Sequence, residues 1–276
     1  MFGRLALHTW TLDTTPLREA IVAAKAGGFD GIELRRVDFL RCHEQGMTNE
    51  QVLDLVRAQG MPVHMMGGQH GWMFAKGEES RRLFDILEET CENAVALDCP
   101  TVMAGPGPHD GPASDAVDNL KRAADICGKY GLRLAFEFSA PHPSINAIAP
   151  LREIIHAADR PNAGILLDTY HLERSGLGGT GFADLSGEEI FAFQFSDVPA
   201  TALAPGDARP TDRLPPGQGV IPWVEVFKLL HEKGFEGYLS LEAPNPETWA
   251  RPPAEVCREA VAATRGLIAQ AVGAAA

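Results

Sequence analysis

The sequence predicts a (β/α)8 barrel. Short apolar runs and longer amphipathic stretches alternate along all 276 residues. Eight of the runs have strand length and composition. No G-x-G-x-x-G follows the first of them, which argues against an open doubly wound sheet. The strand-like runs are RLALHT (4–9), FDGIEL (29–34), PVHMM (62–66), CPTVMAG (99–105), LRLAFEF (132–138), AGILLD (163–168), IFAFQFS (190–196) and GYLSLEA (237–243). Helical patterns fall at 16–27, 48–59, 78–97, 113–130, 147–158, 222–233 and 253–273. Thr48 followed by Gln51 reads as a capping box, and Pro16 and Pro222 stand at helix starts. The sixth crossover (172–189) is rich in glycine and carries only a short helical stretch near 182–187. Its SGLGGTG lacks the G-K-[ST] ending of a phosphate loop and reads as a flexible connection. The Pro/Gly-rich stretch 198–219 reads as a long loop after strand seven, because the alternation continues on both sides of it. One domain over residues 1–276 is expected, with its chemistry at the C-terminal ends of the strands.

Composition narrows the function. Hydrophobic residues make up 45% and charged residues 22%, enough for one sizeable core without a disorder signature. With 24 basic and 37 acidic residues the net charge is −13, which opposes binding to a phosphate backbone, so no nucleic-acid partner is expected. Five scattered cysteines without a C-x-x-C pair read as reduced thiols. The N-terminus enters a strand pattern directly and no apolar run is long enough for a bilayer, so a cytoplasmic protein with no membrane partner is expected.

Side chains alternate across a strand, and here the alternation sorts by polarity. Leu134, Phe136 and Phe138 share one phase of strand five, with Ala135 and Glu137 on the other. Phe191, Phe193 and Phe195 share one phase of strand seven, with Ala192, Gln194 and Ser196 opposite. The bulky phases suit the layer under the helices, so the small phases face the barrel interior. Four adjacent strands then deliver Glu137, Asp168, Gln194 and Glu242 to one place. Three converging carboxylates repel by several kcal/mol at an effective dielectric of about 20 and need a cation or shared protons. Oxygen ligands without cysteine favour a hard divalent ion, Mg²⁺ or Mn²⁺, with Co²⁺ also suited.

On GFDGIEL, FEF, LLDTYH, FQFSD, RLPPGQG and GYLSLE, the chain resembles the xylose isomerase-like TIM barrels, also called the sugar phosphate isomerase/epimerase or AP endonuclease family 2 superfamily. The resemblance implies that Glu137, Asp168, Gln194 and Glu242 hold one metal, that His171 lies beside the substrate and that Asp197 supports the ligands from behind. Glutamine at strand seven, where ketose 3-epimerases have histidine, is similar to 3-dehydroshikimate dehydratases and hydroxypyruvate isomerases. Arg213 resembles an arginine that meets a substrate carboxylate in those enzymes. A homodimer is implied by the resemblance alone.

The chemistry shared by these relatives is removal of a proton next to a carbonyl in a hydroxylated keto compound. Glu137, Glu242 and His171 are the candidate acid–base groups. A hydroxyl on the next carbon would make the outcome dehydration, and return of the proton would make it isomerisation or epimerisation. Inward-phase His8, Glu33 and His64, with His70 and Trp72 after strand three, are candidates to shape the substrate pocket. His109 and His142 lie in other loops of the same face. AP-site endonuclease chemistry needs a histidine-rich zinc cluster and a basic groove, which Gln194 and the negative charge disfavour. A binding barrel without turnover is the remaining alternative.

Overall fold

The computed structural model describes residues 2–201 and 211–273. Its strands are β1 (Leu5–His8), β2 (Gly31–Arg35), β3 (Val63–Gly67), β4 (Thr101–Ala104), β5 (Arg133–Glu137), β6 (Ala163–Asp168), β7 (Ile190–Phe195) and β8 (Leu239–Leu241). All pair in parallel in chain order, and β8 returns to β1 through Leu7 opposite Leu241 to close the barrel. The surrounding helices are α1 (Leu17–Gly27), α2 (Arg36–Glu44), α3 (Asn49–Arg57), α4 (Gly77–Ala96), α5 (Ala113–Lys129), α6 (Ile148–Ala158), α7 (Thr169–Arg174), α8 (Trp223–Glu232), α9 (Pro246–Trp249) and α10 (Pro253–Val272). Each expected strand and each of the seven longer expected helices forms within a few residues of its expected bounds, but the short helical stretch expected near 182–187 is a series of turns, with a single 3-10 turn at Gly187–Glu189, because the glycines before it favour turns over a helix. The additions are α2 and α7, which follow β2 and β6 directly, and the short α9 after β8. Among the described residues no helix is long and apolar enough to cross a membrane. All five cysteines are free and buried. The expected loop 198–219 is only partly visible, since 202–210 lie outside the described residues.

Two apolar layers hold the barrel. The larger lies between strands and helices and takes Leu134, Phe136, Phe138, Phe193, Phe195, Leu239 and Leu241. The smaller fills the interior with Met65, Met103, Ala135, Leu166 and Ala192. This is the division the alternation predicted, with one correction. Ile165 pairs with Ile190 and Leu166 with Ala192, so Phe191 is an extra residue in a β-bulge. The bulge turns Phe191 against the inner layer instead of toward the helices. A matching bulge between β2 and β3 makes His64 the extra residue there.

These two bulges build the lower, N-terminal end of the barrel. The His64 ring lies 4.9 Å from that of Tyr238, the Arg4 guanidinium lies over Tyr238 at 4.3 Å, and that of Arg133 lies over Phe191 at 3.8 Å. The rings need glycine beneath them. A Cβ on Gly164 would sit 2.2 Å from Phe191, and one on Gly31 would sit 2.8 Å from Tyr238. His64, expected to shape the substrate pocket, therefore belongs to this end, where burial drives its pKa down to about 3.

Candidate active site

The upper end of the barrel opens into a cavity of about 660 Å³ lined by His8, Glu137, His171, Arg213 and Glu242, with Arg36, Gln69 and His70 at its edge. Asp168 closes β6 and also caps α7: its Oδ1 accepts from the Tyr170 N–H at 2.9 Å, which leaves Oδ2 turned to Arg213 at 2.6 Å. Register places Asp168 beside Gln194 and Gln194 beside Ser240. The four strand-end residues thus do converge. Glu137, Asp168 and His171 can bring one ligand atom each within 4.8 Å of one another, so the closest set includes His171, which the resemblance placed beside the substrate.

Hydrogen bonds fix the direction of each group. Glu33 is fully buried; its Oε1 accepts from the Gln194 amide nitrogen at 2.7 Å and its Oε2 from the Ser240 hydroxyl at 2.6 Å. The Gln194 NH2 is therefore held toward Glu33, and its Oε1 is buried without a partner. The Glu137 Oε1 is likewise buried and unpartnered. The Ala140 N–H donates to His171 Nδ1 at 3.2 Å, which puts the ring proton on Nε2, 3.7 Å from Glu137 Oε1. In the same way Trp10 N–H donates to His8 Nδ1, and His8 Nε2 sits 3.5 Å from Glu33 and 3.7 Å from Glu242.

Four carboxylates, Glu33, Glu137, Asp168 and Glu242, thus share a buried space in which Arg213 touches two of them, Asp168 and Glu242. Burial first, then Asp168 and Glu242, push the Glu137 carboxyl well above the usual range. Burial and Glu242 do the same to Glu33 against the two hydrogen bonds it accepts. Glu242 is pushed up to about 7, burial outweighing its bond to Arg213. Burial lowers His171 to about 4 and holds His8 well below its ordinary value, so both rings are neutral at neutral pH. Burial would lower Arg213, but Asp168, Glu242 and Glu137 together raise it.

The residues expected to bind substrate fall into three groups. His8 and His70 line the cavity, with the His70 ring resting against Gly105 beside Glu137. Glu33 and Arg213 face other protein groups: Glu33 holds Gln194 and Ser240, and Arg213 commits Nη1 to Asp168 and Glu242. Trp72 does not reach the cavity; it is buried against Phe84 and Phe136, because the chain turns inward after His70 to fill space under α4. His142 lines the cavity but pins its own loop, through bonds to His109 O and the Ile145 N–H. Asp197 is buried and accepts from the N–H groups of Val198, Gly217 and Ile221 and from the Trp223 indole, tying down the segment that carries Arg213. Arg36 and Gln69 were not among the expected residues. Their signal was the doubled arginine ending GIELRR and the polar residue after GG, both at strand C-termini.

A closed parallel barrel with buried acids and a cavity at the C-terminal ends of its strands has the site position usual for TIM-barrel enzymes. The chain belongs to the xylose isomerase-like TIM barrel family, whose profile matches residues 21–266. It is 29% identical over 243 residues to a 3-dehydroshikimate dehydratase of Pseudomonas aeruginosa, covering 86% of this chain and 37% of that protein. The chain thus spans little more than a third of that relative. It is 25% identical over 247 residues to an inosose isomerase of Halalkalibacterium halodurans, covering 86% of each. Among solved structures it resembles the IolI protein with a bound zinc atom, with a TM-score of 0.85, 21% identity, and 97% and 99% of the two chains covered; this likeness shows the fold.

Proposed function

We propose that the protein is a divalent-metal-dependent enzyme that removes a proton from the carbon next to a carbonyl in a polyhydroxylated keto substrate, with 3-dehydroshikimate dehydratase-like chemistry. The observation that supports this most is the pair of orphaned oxygens, Glu137 Oε1 and Gln194 Oε1, buried among carboxylates that Arg213 alone does not neutralise. Two like charges about 4 Å apart repel by about 4 kcal/mol at an effective dielectric of 20, and unpaired buried oxygens add to that penalty. An all-oxygen set of Glu137, Asp168, Gln194 and Glu242 fits Mg²⁺ or Mn²⁺, with Co²⁺ also suited. Such an ion would draw electron density from the substrate carbonyl and acidify the neighbouring C–H.

The chain's own groups then handle protons. Glu137, with a free oxygen and a raised pKa, is the base that takes the proton from carbon. The neutral His171 keeps an Nε2–H beside that carboxylate and holds a substrate hydroxyl or the developing charge. In dehydration the C–H electrons form the new double bond as the neighbouring C–O bond breaks, and the hydroxyl leaves as water with a proton from Glu242. Isomerisation is the second reading, favoured by the inosose isomerase relatives that match over nearly their whole length; there the proton returns to a different atom.

The test is turnover of 3-dehydroshikimate beside a panel of inososes and ketoses, with Mn²⁺, Mg²⁺ or Co²⁺ and again with chelator. An ultraviolet-absorbing aromatic product identifies dehydration, and solvent deuterium at carbon without change of formula identifies isomerisation. Absence of both turnover and exchange with every metal would sink the proposal.

A further inference from the structure

Among the described residues that line the active-site cavity, one cation has no partner. Arg35, Arg36 and Arg213 all line it. Arg35 is engaged by Thr9, Asp13 and Asp38, and Arg213 commits its Nη1 to Asp168 and Glu242. Arg36 is half-buried and makes no hydrogen bond or ion pair among the described residues. Gln69 also lines the cavity, half-buried and without a hydrogen bond among the described residues; the two follow β2 and β3, which pair through Arg35 and Gly67.

Helix stability does not account for Arg36. It is the first residue of α2, where the helix dipole disfavours a positive charge, and Asp38 already supplies the favourable acid in that turn. A partly desolvated guanidinium gains most from a planar anion that takes two of its N–H groups. The cavity it faces is otherwise dominated by carboxylates, so an anionic ligand needs such a cation to enter.

We propose that Arg36, with Gln69 as a neutral donor, is the subsite for a carboxylate on the substrate, and that it separates acidic cyclic polyols from uncharged ones. The proposal rests on the function given above for the same cavity. It moves carboxylate recognition from Arg213, whose Nη1 is committed to Asp168 and Glu242, to the C-terminal end of β2.

The test uses Mn²⁺-loaded protein and a matched pair of unreactive probes, shikimate and its uncharged methyl ester, followed by calorimetry in the wild type, Arg36→Gln and Arg36→Lys. Wild type should bind shikimate about 10- to 100-fold more tightly than the ester. Arg36→Gln should abolish that preference with the ester unaffected and the melting temperature unchanged, and Arg36→Lys should restore part of it. A wild type indifferent to the charge, an Arg36→Gln protein that keeps the preference, or equal loss of both probes would each overturn the subsite. Charge-selective binding through Arg36 in a protein that turns over no ketone would support the subsite and overturn the function. Turnover of inososes without charge selection would do the reverse.

Discussion

Removing the Glu33 carboxylate should weaken metal binding by freeing Gln194 to turn over. In the folded protein the Gln194 NH2 lies 2.7 Å from Glu33 Oε1, which points the amide oxygen the other way. Leaving a buried amide donor unpaired costs about 1–3 kcal/mol, so this bond favours the oxygen-inward state by roughly 5- to 100-fold. In Glu33→Ala that bias disappears, and Glu137 and Asp168 attract the NH2 into the place a cation would take. Calorimetry with Mn²⁺ is expected to show about 10- to 100-fold weaker binding, the size usual for loss of a ligand's supporting partner. Glu33→Gln should behave differently: its carbonyl can still accept from Gln194 while its NH2 donates to the Ser240 hydroxyl, so the orientation survives. Its Mn²⁺ affinity should stay within several-fold of wild type, and its metal-free form should be at least as stable near pH 7, because a buried acid has gone. Equal weakening in both variants would show that charge alone matters and refute orientation. Wild-type affinity in Glu33→Ala would remove Gln194 from the ligand set.

Two further predictions concern the barrel as a whole. Burial raises Glu33, Glu137 and Glu242 above their ordinary value, Glu242 to about 7 from 4.5, so the folded protein binds these protons more tightly than the unfolded chain. Their stabilising effect is therefore complete below about pH 4.5 and is lost as pH rises through the folded values. Metal-free protein should lose melting temperature between about pH 5 and 8, saturating Mn²⁺ should flatten the decline, and a level profile without metal would contradict the crowded-carboxylate picture. Gly164→Ala should cost about 1–3 kcal/mol in denaturant unfolding, since the new Cβ would meet the Phe191 ring at 2.2 Å, and Phe191→Leu in the same chain should recover part of the loss. Additive effects of the two changes would refute the contact.

The sequence displayed strand order, helix order and the convergence of Glu137, Asp168, Gln194 and Glu242, because period-two alternation depends only on neighbours along the chain. It hid whatever depends on pairing between strands. The bulges at His64 and Phe191 shift phase by one residue, which no single strand reveals; His64 lies at the lower end and not in the pocket, and Phe191 turns to the inner layer and not to the helices. Trp72 looked like a pocket residue from its loop position, but the fold of that loop, not its composition, buries it. The partners of Glu33 lie 161 and 207 residues away in sequence, so its service to Gln194 and Ser240 was legible only as an inward acid awaiting an explanation.

The lower end of the barrel also bears on how the protein responds to salt. Arg4 and Arg133 lie flat on Tyr238 and Phe191 at 4.3 and 3.8 Å, separations well inside a Debye length of about 8 Å at physiological ionic strength. At such a range salt screens an interaction little. Salt should therefore act unequally along the barrel axis, loosening the entry of charged ligands at the upper end while the lower end keeps its packing.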